Sequence, residues 1–261
     1  MARWNYETID YDAVDRERFK ENRVLFKITA IASFIEITSD LYEKNLVEFY
    51  EGDDEIVGWL ENVWEPEEIQ HGKALRKYVE TIWPEFDWQA AYDGFREEYG
   101  KLCTLDEFQP TRAKEMLARM VVETGTSSLY RAVESYAKEI GEPVLAEIAH
   151  NIYRDEVYHY EQFDEGFKKY NRTEKLSRSD IVKVIYARLR EAKDEDIGIA
   201  HKYIVPGEDF EVFRQEIRAL AKKHYPYKMA VKMLMHPLNL HRHLESATAS
   251  TVQGALKILG I

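Results

Sequence analysis

The chain has 261 residues, of which 45% are apolar, and this length and composition suit one large domain. Acidic side chains outnumber basic ones by 48 to 36, and the net charge of −12 disfavours a nucleic-acid-binding protein, which needs positive charge to displace phosphate counterions. No stretch approaches the roughly 20 uninterrupted apolar residues that cross a bilayer, and the first residues are polar where a signal peptide would be apolar, so we expect a cytoplasmic protein without a membrane span.

The first predicted helix covers residues 16–50, because apolar residues recur there at spacings of three and four. Glu36 follows directly on the apolar run 28–35. An unpaired carboxylate buried at such a place would cost several kcal/mol or become neutral, so Glu36 requires a partner. Asp40 and Glu43 share its helical face and are alternatives for the same role.

The second predicted helix covers residues 54–80 and follows a turn at Gly52. It contains Glu68 and His71 in a Glu-x-x-His motif. This spacing places a carboxylate and an imidazole on one helical face, about one turn apart, so the pair can bind one metal ion. The motif alone is weak, since about one occurrence is expected here by random placement.

A helix is predicted over residues 86–100, and the only cysteine, Cys103, follows it. A single cysteine cannot form an internal disulfide, and a lone thiol is more typical of a small buried residue than of a catalyst. The next predicted helix covers residues 108–140. It carries Glu123 directly after an apolar stretch, which is the context of Glu36 again.

The helix predicted over residues 142–170 contains two further Glu-x-x-His motifs, Glu147 with His150 and Glu156 with His159. At about 100° per residue, Glu147 lies roughly 180° around the helix axis from Glu156. The apolar side chains of this helix line up with Glu156. We therefore expect Glu156 and His159 in the core, and Glu147 and His150 on the surface.

The remaining predicted helices cover residues 178–195, 208–224 and 227–258. Together, the elements predict an all-α fold in a single domain over residues 1–261. Its metal-binding bundle would occupy about residues 16–170, and a C-terminal helical extension would occupy about residues 178–258.

The chain order Glu, Glu-x-x-His, Glu, Glu-x-x-His is that of the di-metal sites in ferritin-like four-helix bundles. It predicts that four glutamates and two histidines hold two metal ions. Four carboxylates with two imidazoles suit iron or manganese, whereas structural zinc prefers thiolates in a closed tetrahedral shell. We expect two iron ions, with manganese or a mixed manganese and iron pair as the alternative.

These motifs resemble those of the soluble acyl-carrier-protein desaturases, a branch of the ferritin-like di-iron carboxylate proteins. Residues 64–72 resemble the W-x-x-E-E-x-x-H-G pattern of that family, and residues 155–159 resemble its D-E-x-x-H pattern. Glu123 precedes Glu156 by 33 residues, close to the interval in the family. The resemblance covers about residues 30–170 and fades afterwards.

The resemblance implies a role for seven residues, and a general property of metal-bound histidines adds one more. The implied metal ligands are Glu36, Glu68, His71, Glu123, Glu156 and His159. Thr126 occupies the place of a threonine that helps oxygen activation in the family. Asp155 is a candidate to accept the free N–H of a metal-bound histidine, since such histidines usually donate it to a carboxylate; the alternative is an exposed helix charge.

The resemblance further implies an O2-dependent di-iron oxidoreductase that acts on an unactivated C–H bond of an apolar acyl chain, free or bound to a carrier. An external donor, such as a ferredoxin-like protein or a flavin reductase, would supply electrons, and the enzyme would be a homodimer. Ferritin-like folds serve several chemistries, so two alternatives stay open. One is a di-iron oxygenase for a small amine or amino acid, and the other is a ferritin-type protein that oxidises and handles iron.

Overall fold

The computed structural model describes residues 3–105, 108–191 and 195–240. The regular structure of these residues is helical, which confirms the all-α prediction. None of the described helices is long and apolar enough to span a membrane. The α-helices are α1 (Arg16–Phe19), α2 (Arg23–Ile37), α3 (Ser39–Phe49), α4 (Asp54–Trp59), α5 (Glu65–Ile82), α6 (Trp88–Tyr99), α7 (Arg112–Ile140), α8 (Pro143–Glu174), α9 (Arg178–Glu191), α10 (Glu195–Ile204), α11 (Phe210–His224) and α12 (Tyr227–Met235).

The chain groups into two compact units, each assembled from three stretches of sequence. Unit 1 consists of Met1–Glu107, Ala137–Ile148 and Lys193–Ile217, and unit 2 consists of Phe108–Tyr136, Ala149–Ala192 and Arg218–Ile261. The single domain expected from the sequence stays a prediction.

In unit 1, α2 and α5 form an antiparallel pair. The ring of Phe26, near the start of α2, packs against that of Trp83, just after α5, with ring centroids 5.0 Å apart. Near the other end of α2, Ile37 lies against Gly72. A Cβ atom at position 72 would lie 2.3 Å from Cγ1 of Ile37 and 2.6 Å from its backbone nitrogen. Only glycine therefore allows the two helix backbones to approach this closely.

In unit 2, α7 and α8 also form an antiparallel pair. Early in α7, Met116 lies against Gly166, which is late in α8. Further along α7, the guanidinium of Arg131 lies over the ring of Tyr153, 5.4 Å from its centroid. The contacts thus advance along α7 as they recede along α8, as expected for two helices joined by a short connection.

A glycine turn lies in the connection between the two helices of each pair: Gly52 lies between α3 and α4, and Gly141 lies between α7 and α8. Gly52 and Gly141 adopt left-handed backbone conformations with φ of +86° and +71°, which glycine adopts without strain. Asp53 caps α4 by accepting a hydrogen bond from a backbone N–H three residues later at 3.4 Å, and the Glu142 side chain does the same for α8 at 2.5 Å. These caps satisfy N–H groups that have no partner within a helix.

The single helix predicted over residues 16–50 is wrong, because the structure divides this segment into α1, α2 and α3. Asn22 caps α2 by accepting a hydrogen bond from the backbone N–H of Leu25 at 3.1 Å. At the other end of α2, the Thr38 hydroxyl donates to the carbonyl of Phe34 at 2.7 Å. Such local side-chain bonds compete with the continuation of a helix.

One helix, α10, was not predicted from the sequence. It is short and contains Gly198, which lowers its intrinsic helix propensity. Contacts with α2 and α6 hold it in place. The ring of Tyr203 fills the space above Gly94, where a Cβ atom would lie 2.3 Å from the ring.

The C-terminal prediction is tested only in part. The helix predicted over residues 208–224 is confirmed by α11. α12 ends at Met235 and is followed by a short 3-10 turn, His236–Leu238. Residues 241–258 of the last predicted helix lie outside the described residues.

Candidate metal centre

The first buried group of potential metal ligands lies in unit 1 and consists of Glu36 from α2 with Glu68 and His71 from α5. All three side chains are buried. Each offers one oxygen or nitrogen atom, and these atoms lie within 4.8 Å of one another. We call these residues the first triad.

The distances within the first triad suit a shared metal ion. Nδ1 of His71 lies 3.6 Å from a carboxylate oxygen of Glu36 and 3.9 Å from one of Glu68. A hydrogen bond between nitrogen and oxygen is shorter, about 2.7–3.2 Å. Two ligand atoms that each lie about 2.1 Å from one ion are roughly 3.0–3.6 Å apart at ordinary coordination angles. The 3.6 Å distance lies at the upper end of this range and the 3.9 Å distance just beyond it, so these atoms are spaced more like ligands of one ion than like hydrogen-bonded partners.

The second buried group lies in unit 2 and consists of Glu123 from α7 with Glu156 and His159 from α8. These side chains are also buried, and their ligand atoms again lie within 4.8 Å of one another. We call them the second triad. It has the composition of the first: two carboxylates and one imidazole, with one Glu on the first helix of a pair and Glu-x-x-His on the second.

Thr126 lies beside the second triad. Its hydroxyl donates to a carboxylate oxygen of Glu156 at 2.6 Å and lies 3.4 Å from a carboxylate oxygen of Glu123. A hydroxyl has one proton to donate, so the short bond to Glu156 is the stronger one. Thr126 thus orients the Glu156 carboxylate, and its predicted part in oxygen activation stays a prediction.

The structure distinguishes Glu36 from its two alternatives. Asp40 accepts two hydrogen bonds from the guanidinium of Arg96, both 2.6 Å long. Its charge is therefore balanced by Arg96. Glu43 is buried further along α3, and neither residue belongs to the described group that contains Glu36.

Three further predicted residues can be placed. Glu147 and His150 are exposed, as predicted for the third Glu-x-x-His motif, and Nδ1 of His150 lies 3.4 Å from the buried carboxylate of Glu134. Asp155 is buried, so its alternative role as an exposed helix charge is wrong. Its predicted hydrogen bond to a metal-bound histidine stays a prediction.

The helices around the first triad are interrupted close to its ligands. α2 ends at Ile37, directly after Glu36. A π-helical turn, Leu60–Trp64, joins α4 to α5 and ends just before the turn that carries Glu68. Turns of this kind are rare in soluble proteins and are frequent at functional sites.

Sequence reasoning missed two residues that shape the first triad. Arg96 binds Asp40 from 56 residues away, so no local pattern indicates the pairing. Gly72 brings α5 against α2 beside His71. A glycine directly after the histidine of the motif was the signal for that close approach.

No protein-family model matches this sequence, and a search of curated proteins returns no significant match. The resemblance to the desaturases therefore depends on the local motifs. What the described residues contain is two buried groups of glutamate and histidine side chains, each able to hold a metal ion.

Proposed function

We propose that the chain is an O2-dependent di-iron oxidoreductase with a ferritin-like bundle, in which the two triads hold one pair of iron ions. The observation that carries this proposal is the matched composition of the triads, each with two buried carboxylates and one buried imidazole. Four carboxylates buried together repel one another, and a bound cation would balance their charge. The combined donor set of four carboxylates and two imidazoles suits iron, with manganese as the alternative.

Each triad has its own task in the proposed enzyme. Glu36, Glu68 and His71 would hold one ion, and Glu123, Glu156 and His159 would hold the other. Iron bound there would supply the redox chemistry that dioxygen activation requires. Thr126 keeps the Glu156 carboxylate oriented through its 2.6 Å hydrogen bond, and burial of all six ligands keeps bulk water away from the reacting atoms.

An apolar acyl chain, free or attached to a carrier protein, is the proposed substrate, because residues 64–72 and 155–159 resemble the desaturase motifs. Desaturation removes two electrons and two protons from the chain. Two further electrons and two protons complete the reduction of dioxygen to two water molecules. An external donor, a ferredoxin-like protein or a flavin reductase, would supply these last electrons.

The proposal is tested by turnover of the loaded protein. The chain is loaded with ferrous iron without oxygen, supplied with a ferredoxin and its reductase, and exposed to oxygen with acyl-carrier thioesters of several lengths. We expect mass spectrometry to show products that have lost two hydrogen atoms. The variant Glu156→Ala/His159→Ala should form none, whereas Glu147→Ala/His150→Ala, which alters the same motif at the surface, should keep full activity.

The alternatives give different results in this assay. If the protein oxidised small amines or amino acids and left acyl chains unchanged, its substrate would be a small polar molecule. Iron uptake far beyond two ions per chain, without any organic product, would indicate a ferritin-type protein. Either result would contradict the desaturase-like function.

A further inference from the structure

Carboxylates continue beyond the first triad in unit 1. Asp40 and Glu43 lie on α3, which packs against the π-helical turn and α5. Glu61 lies in that turn and Glu65 is the first residue of α5. Glu61 is exposed, Glu65 is half-buried and Glu43 is buried, so the group extends from the surface inward.

Glu43 is the unusual member of this group. Its side chain is only 7% exposed, and it has no hydrogen bond or ion pair with any described residue. Burial raises its pKa, and the negative charges of Glu65 and Glu61 raise it further. Lys44, on the solvent side of α3, opposes this only in part. A carboxylate in these surroundings is stabilised by a proton or by a cation.

The register of the helices places these carboxylates in line with the first triad. Glu36, Asp40 and Glu43 follow one another at spacings of four and three along α2 and α3. The opposite row has the same spacings in the π-helical turn and α5, and consists of Glu61, Glu65 and Glu68. Within one helix, side chains at such spacings share a face, which applies to Asp40 and Glu43 in α3 and to Glu65 and Glu68 in α5.

The two rows face each other because α3 packs against both the π-helical turn and α5. Glu36 lies beside His71 at one end of the rows. At the other end, the charge of Glu65 is the largest cause, after burial, of the raised pKa of Glu43, and the charge of Glu61 follows. The two rows therefore form an acidic path along α3, the π-helical turn and α5.

We propose that Glu43 and Glu65 form a transit site for a divalent metal cation, which enters at Glu61 and passes to Glu36 and Glu68. This inference rests on the metal centre proposed above and adds the route by which that centre is loaded. The carboxylates of the path are not among the described groups whose ligand atoms converge within 4.8 Å. The ion in transit therefore keeps part of its water shell and is bound weakly, as suits a site that passes the ion on.

The path acts by concentrating cations near the first triad. Clefts lined with one sign of charge raise the local concentration of counter-ions and their rate of entry by about 10- to 1,000-fold. Asp40 adds to this field and is the largest cause, after burial, of the raised pKa of Glu65, although its ion pair with Arg96 balances part of its charge. Glu43 and Glu65 have no ion pair with any described residue, so the test alters these two.

The test measures the rate of metal uptake rather than turnover. The metal-free chain is mixed rapidly with Co2+, whose visible absorption intensifies when it exchanges water for imidazole and carboxylate ligands. The test variant is Glu43→Gln/Glu65→Gln. The control, Glu48→Gln/Glu55→Gln, removes the same two charges from exposed positions on α3 and α4.

We expect the test variant to take up Co2+ about tenfold more slowly, or slower still, and to reach the same final absorbance and the same ratio of cobalt to protein. The control should follow the unaltered chain. The difference in uptake rate between the test variant and the unaltered chain should shrink at high salt, because salt screens the attraction of the path for cations. Glu65→Asp keeps the charge at position 65, so this variant should take up Co2+ as rapidly as the unaltered chain.

Equal uptake rates for the test variant and its control would overturn the transit site and leave the metal centre standing. Absence of any Co2+ uptake that depends on His71 and His159 would refute the metal centre itself. Slow uptake by Glu65→Asp would contradict a role for its charge. Circular dichroism confirms folding of each variant. Glu65→Gln alone changes a half-buried position and should slow Co2+ uptake less than the double variant does.

Discussion

The α2/α5 pair and the α7/α8 pair carry the same ligand pattern on differently built helices. α7 and α8 run unbroken past Glu123 and Glu156. In the other pair, α2 ends directly after Glu36, and a π-helical turn precedes α5. Regular helices fix their side chains through a continuous hydrogen-bond ladder, whereas interruptions leave backbone groups that can rearrange. The ligands of the second triad thus lie within unbroken helices, whereas Glu36 of the first triad lies at the end of one.

The two triads also differ in whether a nearby hydroxyl group binds one of the ligands. Thr126 lies three residues after Glu123 and binds the Glu156 carboxylate. Ser39 lies three residues after Glu36, and its buried hydroxyl forms no hydrogen bond with any described residue. A hydroxyl thus orients Glu156 of the second triad, whereas the Ser39 hydroxyl does not do this for the first triad.

The largest expected effect is the loss of one Glu-x-x-His pair from either triad. We expect Glu68→Ala/His71→Ala and Glu156→Ala/His159→Ala each to lower bound iron from two ions per chain to one or fewer, because each removes two of the three ligands of a triad. Elemental analysis after removal of loose iron measures this. The surface variant Glu147→Ala/His150→Ala should keep both ions, and equal losses in all three variants would contradict the assignment.

Glycine substitutions compare the packing of the two pairs. Gly72→Ala should lower the free energy of unfolding by about 1–3 kcal/mol, because its Cβ atom would lie 2.6 Å from the backbone nitrogen of Ile37. Gly125→Ala in α7 meets nothing within 4 Å and should stabilise the chain by about 0.5–1 kcal/mol. Urea unfolding of the metal-free chain measures both. A neutral Gly72→Ala would show that α2 and α5 are less closely packed.

Hydroxyl removal tests how each triad is oriented. Thr126→Val should lower the free energy of unfolding by about 1.5–3 kcal/mol, the usual range for a hydrogen bond to a charged group, because it removes the bond to Glu156. Ser39→Ala should change it little, since no hydrogen bond with a described residue is lost. The same unfolding experiment applies, and a larger loss for Ser39→Ala would reverse the comparison.

The smallest expected effect is a pH dependence from Glu43. Burial raises its pKa above the ordinary 4.5, so the folded state favours the protonated form. This contribution to stability is fully present below the unfolded pKa and is lost as the pH rises through the folded pKa. The Glu43→Gln variant should therefore have the same Tm as the unaltered metal-free chain in acid. As the pH rises toward 8, its Tm should become higher than that of the unaltered chain. Thermal unfolding between pH 4 and pH 8 measures this, with Glu48→Gln as the control, and a constant difference across that range would contradict the buried charge.

Helical content and the burial of the Glu-x-x-His motifs could be predicted from the sequence because both depend on local periodicity. The 100° rotation per residue was enough to place Glu147 and His150 at the surface, where they lie. The choice between Glu36 and Asp40 could not be made in this way, since both share one helical face. It is decided by Arg96, which lies far along the chain and binds Asp40.

Sequence reasoning also missed the helix breaks within residues 16–50 and the existence of α10. The reasons are similar. The apolar spacing continues through residues 16–50, and the breaks depend on capping bonds such as that of Asn22. α10 is held by contacts such as that of Tyr203 with Gly94. Tertiary contacts of this kind override local propensity and leave no periodic signal.

The central claim is that both triads serve one ion pair, and Mössbauer spectroscopy tests it most directly. The metal-free chain is loaded anaerobically with 57Fe2+, oxidised with dioxygen and measured at low temperature in an applied magnetic field. We expect two ferric ions per chain that lie close enough to couple magnetically to a diamagnetic ground state. Two magnetically independent ferric ions, or saturation at a single ion, would contradict the di-iron centre.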